Sequence, residues 1–256
     1  MTAAAAEPAL LSTVDLSKNF GGLQVVRNVE FSLQRGARHA LIGPNGAGKT
    51  TFVNLLTGAL RPSGGRIAIA GAEATHLSEA DRVERGLVRT FQINQLFRGL
   101  TVFENIALAV AQRRGMARTL WRKSASCAEI NDEAMAIAAD LHLDGIAFRR
   151  IRELPYGSQR LVEIAIALGL RPRILLMDEP AAGIPADERD LILGVVGRLD
   201  PDIAILIIEH DMDLVFRFAR EITVLVGGAA LTSGTPEEIA ADPRVREVYL
   251  GSGKHG

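Results

Sequence analysis

Apolar positions along the chain follow two rhythms. Alternation marks half-buried strands: Val29, Phe31 and Leu33 interleave with Glu30, Ser32 and Gln34, residues 66–70 alternate again, and residues 11–15 read as a short strand. Unbroken apolar runs at 40–42, 174–177 and 203–208 instead predict strands buried on both faces, as in a parallel sheet. Residues 51–60 carry Phe52, Val53, Leu55 and Leu56 at helical spacing, and Arg61-Pro62-Ser63-Gly64-Gly65 then breaks the chain. Ser78, with Asp81 in the first turn, opens a short helix that Gly86 stops, and residues 87–91 form a strand ending at Gln92. From 101 to about 170 the character is helical. Thr101 and Glu104 make a capping box, a further helix runs from about 128 to 143, and the turn Leu154-Pro155-Tyr156-Gly157-Ser158-Gln159-Arg160 launches a helix through Leu161, Ile164 and Leu168. A helix near 187–199, closing strands at 222–226 and 229–232 and a short helix at 236–240 complete an α/β pattern.

The totals narrow the possible partners. With 256 residues and 48% apolar content the chain can bury a full core, and a net charge of −1 gives no basic surface for nucleic acid. The single cysteine, Cys127, excludes an intramolecular disulfide and a cysteine-based metal cluster. Residues 1–10 are expected to be a loose leader, since they are Ala-rich and carry Glu7 rather than a basic stretch, and residues 252–256 a mobile tail. The longest apolar runs fall well short of the roughly 18 residues that suggest a membrane span, so membrane contact must come through a partner. One local exception is basic: Arg113, Arg114, Arg118, Arg122 and Lys123 surround Trp121, either as a solvated helical excursion or as a surface meeting a membrane partner.

The candidate chemistry begins at Gly43-Pro44-Asn45-Gly46-Ala47-Gly48-Lys49-Thr50-Thr51, which matches G-x-x-x-x-G-K-[ST] between a predicted strand and a predicted helix. Glycines let successive N–H groups converge on phosphate oxygens, and the helix behind them points its positive end at the same place. Lys49 is expected to reach the β- and γ-phosphates of ATP, and the Thr50 hydroxyl to ligate Mg²⁺. The run 174–177 delivers Asp178 and Glu179 to the carboxyl edge of the sheet, where Asp178 would hold the metal and Glu179 would polarise an attacking water. The run 203–208 delivers His210 to that edge, within reach of a γ-phosphate. Phe20, on the turn Asn19-Phe20-Gly21-Gly22, can stack on a base or pack under its own turn, and the amides opening the helix after Pro155 form a second potential anion site.

Taken together these pieces resemble an ABC transporter ATPase, over roughly residues 11–250. The resemblance implies a P-loop NTPase (RecA-like) core with an antiparallel β subdomain and a helical subdomain at about 93–170, all within one domain spanning 11–251. It implies that Phe20 stacks on adenine, that Gln92 is the Q-loop glutamine near the metal, and that Leu154 to Gln159 is the signature, with Gly157, Ser158 and Gln159 contacting nucleotide across a dimer. Asp178 and Glu179 then end Walker B, and His210 is the switch histidine. Finer cues are similar to the larger ATPase type of branched-chain amino acid importers: Lys18-Asn19-Phe20-Gly21-Gly22, Arg89-Thr90-Phe91-Gln92, Glu209-His210-Asp211-Met212 and Gly234-Thr235-Pro236-Glu237-Glu238. Such systems combine a second ATPase subunit, or this chain as a homodimer, with permeases and a periplasmic solute-binding protein. Related machines take urea, amides or aromatic acids. A soluble non-transport ABC ATPase would add coiled coils or a second cassette, which this sequence lacks.

Two departures bear on mechanism. Pro155 stands where most signatures place a serine, and Ile184-Pro185 stands where a Leu-Asp pair is usual. Losing a hydrogen bond to a charged group costs about 1.5–3 kcal/mol, so the composite site that uses this chain's signature is expected to be the weaker of two.

Overall fold

The computed structural model describes residues 8–90, 96–116 and 124–251. The chain opens with an antiparallel hairpin, β1 (Leu11–Phe20) and β2 (Leu23–Leu33), turned at Gly21-Gly22. Both strands run further than the alternation predicts. Register shifts between Thr13 and Asn19 absorb the polar residues that interrupt the pattern, so pairing continues where the sequence rhythm fails. Strand β3 (Arg38–Ile42) follows, wholly buried, and leads through the glycine loop into α1 (Lys49–Thr57). Strands β4 (Gly64–Ile69) and β5 (Ala72–Glu73) complete a four-stranded antiparallel sheet in the order β2-β1-β4-β5.

The second sheet has six strands in the order β10-β9-β3-β8-β7-β6. They are β6 (Leu87–Arg89), β7 (Ile174–Asp178), β8 (Ala204–Ile208), β9 (Glu221–Val226) and β10 (Ala229–Gly234), together with β3. All neighbours are parallel except β9 and β10. The unbroken apolar runs are thus the central strands, and their carboxyl ends share one edge. Helix α1 lies between the sheets: Phe52, Val53, Leu55 and Leu56 are fully buried with Leu16 and Leu33 of the first sheet and Leu41, Leu176 and Leu206 of the second. Each such side chain stabilises the sandwich by about 2 kcal/mol.

Helix α2 (Glu79–Glu84) supplies Arg82, a buried arginine whose Nη1 donates to the Leu55 and Leu56 carbonyls, both at 2.6 Å, and whose Nη2 donates to Thr75 O at 3.0 Å. It closes the carboxyl end of α1, where Gly58 in the left-handed region stops the helix. The other face of the six-stranded sheet carries α3 (Val102–Arg113), α4 (Ser124–Asp140) and α5 (Tyr156–Gly169) in a second apolar cluster with Ile42, Leu175 and Ile207.

Two members of the basic cluster are ion-paired: Arg113 grips both oxygens of Glu133 at 2.9 and 2.7 Å, and Arg114 bonds Glu129 and Glu133. With acids presented by α4, the two arginines staple α3 to α4, and the hydrogen bonds from Arg113 hold Glu133 down at about 2. Arg118, Trp121, Arg122 and Lys123 lie outside the described residues. Helices α6 (Ala186–Gly197), α7 (Met212–Phe218), α8 (Pro236–Ala241) and α9 (Pro243–Gly251) complete the chain. Among the described residues no helix is long and apolar enough to cross a membrane.

Candidate active site

Strand β3 is clamped between β8 and β9, so the loop that leaves it has a fixed origin. Gly43 (φ 152°) and Gly48 (φ 96°) cannot be replaced by larger residues: a Cβ on the first would run into the Leu225 carbonyl oxygen, and on the second it would lie 2.6 Å from Val25 O. Helix α1 begins with Gly48 as its N-cap, without a side-chain cap and without an acid in its first turn. Its leading N–H groups are therefore not satisfied by the helix itself. Lys49 folds back over the loop, Nζ donating to Gly43 O at 2.6 Å and Pro44 O at 3.0 Å. Burial lowers its pKa, while Glu179 and Asp178 pull the other way, so the ammonium lies in the field of both acids. Asn45, Gly46 and Thr50 are exposed along the rim.

Asp178 ends β7, directly beside Ile208 at the end of β8. Arg89 of β6 donates to Asp178 Oδ2 at 2.6 Å and to Asn54 Oδ1 of α1 at 2.9 Å, tying two strands and the loop helix together. No role for Arg89 follows from the residues alone, although a charge at the carboxyl end of a core strand is the available signal. Glu179 turns out of the strand with φ 47° and anchors its N–H on Ile208 O at 2.9 Å. Its Oε1 is 3.6 Å from His210 Nδ1, and both side chains are solvent-accessible.

Behind them lies Glu209, 2% exposed, which accepts from Ala181 N and His210 N, both at 3.2 Å. Burial raises the Glu209 pKa, and these N–H bonds oppose the rise. One carboxylate thus fixes the backbones on which Glu179 and His210 stand. Asp211 caps α7 and accepts from Arg189 Nη1 at 2.8 Å, while Arg189 Nε donates to Ile184 O at 2.9 Å. Another side chain without an assigned role is Tyr249 of α9, whose hydroxyl meets the Gly43 backbone.

Phe20 stands 48% exposed on its hairpin turn with Lys18 Nζ 5.1 Å above the ring. At the start of α5, Pro155 is the N-cap and no side chain caps the helix. Gly157 is packed against Glu188, Ser158 is partly exposed, and Gln159 turns inward, its Nε2 donating to Leu154 O at 2.8 Å. Tyr156 lies against Gly183 and under the Arg160 guanidinium, 5.6 Å from the ring centre. The fold therefore brings Lys49, Asp178, Glu179 and His210 to one edge. Among the described residues no hydrogen bond or ion pair joins 155–159 to the phosphate loop. Gln92 lies outside the described residues. The hydroxyl of Thr50 and the carboxylate of Asp178 are hard oxygen donors suited to Mg²⁺.

A family profile described as ABC transporter matches residues 26–182. The chain belongs to the ABC transporter family. A second profile, branched-chain amino acid ATP-binding cassette transporter, matches residues 231–255 of this ABC protein. The high-affinity branched-chain amino acid transport ATP-binding protein LivG of Escherichia coli is 41% identical over 251 residues, covering 94% of this chain and 98% of LivG. The corresponding BraF of Pseudomonas aeruginosa is 39% identical with the same coverage. Among solved structures, the ADP conformation of MJ1267, an ATP-binding cassette of an ABC transporter, superposes with a TM-score of 0.84 at 31% identity, covering 95% of this chain and 99% of that one.

Proposed function

We propose that this ABC ATPase binds and hydrolyses ATP to power uptake of branched-chain amino acids through membrane permeases. The observation that carries the solute is the match of residues 231–255 to the branched-chain cassette profile, and the LivG and BraF likeness supports it. In this reading the uncapped first turn of α1 and Lys49 bind the phosphates, Phe20 stacks on adenine, and Asp178 with Thr50 would hold Mg²⁺. When bound, the metal neutralises charge on the β- and γ-oxygens. Glu179 orients and accepts a proton from the attacking water, and His210, 3.6 Å away, donates to the γ-phosphate. Glu209 keeps that pair in register. Gly157 and Ser158 offer amides to the nucleotide of a partner ATPase, with Gln159 holding their turn through Leu154.

A second copy or a different ATPase completes the sandwich, and a periplasmic binding protein delivers the solute. The permease meets the chain in the groove of about 980 Å³ between α2, α3 and α5, lined by Val83, Phe97, Leu108 and Ile166 with Arg171 at its rim. Phe97, 62% exposed, offers it an apolar anchor. The protein is thereby held on the inner face of the membrane. Residues 11–251 then act as one domain, its helical part at about 93–170.

The test is reconstitution with permeases and binding protein in vesicles. Glu179→Gln should still bind ATP while turnover and leucine uptake fall at least about a hundredfold. Near-normal turnover would refute the role of Glu179, whereas turnover stimulated by urea or an aromatic acid and not by leucine would refute the solute.

A further inference from the structure

At the opposite edge of the six-stranded sheet, an open pocket of about 700 Å³ lies between the start of β3 and the carboxyl ends of α6 and α7. Four arginines line it, Arg38, Arg198, Arg217 and Arg220. Arg217 is paired with Asp190 at 2.8 Å. Among the described residues no carboxylate comes within ion-pair distance of the other three, although Asp200 is near enough to act on Arg38 through space.

Arg38 is the unusual member. It is the first residue of β3 and only 9% exposed, and a charge buried to that degree ordinarily has an acid beside it. Its guanidinium meets carbonyls instead: Nη1 donates to Ile203 O at 2.6 Å, and Nη2 makes a long contact with Leu199 O at 3.4 Å. Burial lowers its pKa, and the neighbouring Arg220 charge lowers it further. Arg198 touches His142 Nε2 at 3.4 Å, and Arg220 is bound to the strand only by its backbone N–H, which donates to Arg38 O at 2.8 Å. The exposed guanidinium groups of Arg198 and Arg220 remain available to outweigh the carboxyl-end dipoles of α6 and α7, while Arg38 is spent on the Leu199 and Ile203 carbonyls of the connection between α6 and β8.

We propose that this pocket binds a small phosphate-bearing anion, at a second site separate from the phosphate loop. The Arg198 and Arg220 guanidinium forks, at the α6 end and in the loop before β9 and backed by the buried Arg38 charge, suit a tetrahedral oxyanion, which accepts from several directions at once. The volume falls in the range of small-ligand sites. The two sites lie at opposite ends of β3, a strand of five residues, hence roughly 15 Å apart. Helix α6 runs from Pro185, beside the Glu179 segment, to Arg198 at the pocket.

Pyrophosphate is the probe, titrated calorimetrically into the full chain carrying Lys49→Ala, which weakens the phosphate loop. Binding should persist in that protein, and adding Arg198→Ala with Arg220→Ala should weaken it at least tenfold while leaving the melting temperature unchanged, since both side chains are exposed. The single variant Arg198→Gln should weaken it by a smaller factor. Loss of all pyrophosphate binding with Lys49→Ala alone, or an affinity indifferent to the arginine substitutions, would overturn the site. Citrate binding as tightly as pyrophosphate would overturn the assignment to phosphate.

Discussion

The amino ends of α2, α3 and α8 and those of α1, α5 and α6 are finished in opposite ways. The first group closes itself with reciprocal capping boxes, Ser78 with Asp81, Thr101 with Glu104 and Thr235 with Glu238. The second group has Gly48, Pro155 and Pro185 as N-caps and no side-chain cap, and neither α1 nor α5 carries an acid in its first turn. Helices that only support the fold satisfy their own leading N–H groups. Helices α1 and α5, proposed to meet the phosphate of this chain's nucleotide or of a partner's, leave theirs for an incoming anion.

The comparison breaks most severely at the phosphate loop. Gly43→Ala should abolish ATP binding in a fluorescent-nucleotide titration and destabilise the protein by about 3 kcal/mol, because the new methyl collides with the Leu225 carbonyl. Smaller and opposite in sign, if the composite site that uses this chain's signature is the weaker one, Pro155→Ser should restore a hydroxyl to it and raise steady-state turnover of the reconstituted complex about tenfold. Pro155→Asp at the same place should lower turnover, since a carboxylate then occupies the end meant for phosphate.

On the self-capped side, Thr101→Ala should cost about 1 kcal/mol in a denaturant melt and leave ATP affinity unchanged. The smallest effect is a matter of pH. Hydrogen bonds from Ser78 and Thr101 hold Asp81 and Glu104 below their ordinary values of 3.8 and 4.5, so the caps contribute fully above those values and are lost as pH falls through the lower folded ones. Amide exchange below pH 4 should therefore quicken at the starts of α2 and α3 before it changes at α1.

Much of this was legible in the residues. Unbroken apolar runs announced β3, β7 and β8, and the glycine loop, Asp178, Glu179 and His210 could be placed at one edge because parallel strands share a direction. What escaped were features that depend on who stands next door. Polar residues in β1 disguised a strand that register shifts keep paired. Glu209 reads as one more acid after a strand, yet it is the buried post on which Glu179 and His210 hang. Arg113 and Arg114 looked like free positive charge because their acids come from a helix about 20 residues away. Helix α9 was not anticipated, its polar residues giving no apolar rhythm.

Arg82 anchors the far end of the helix that begins at the phosphate loop. The guanidinium that neutralises the carboxyl end of α1 balances the same peptide dipole whose amino end faces the phosphate loop. Nine residues separate the two ends, roughly 13 Å of helix. Without the guanidinium, the Leu55, Leu56 and Thr75 carbonyls would be left buried and unpaired, so the helix that carries the phosphate loop is held at its far end by one side chain.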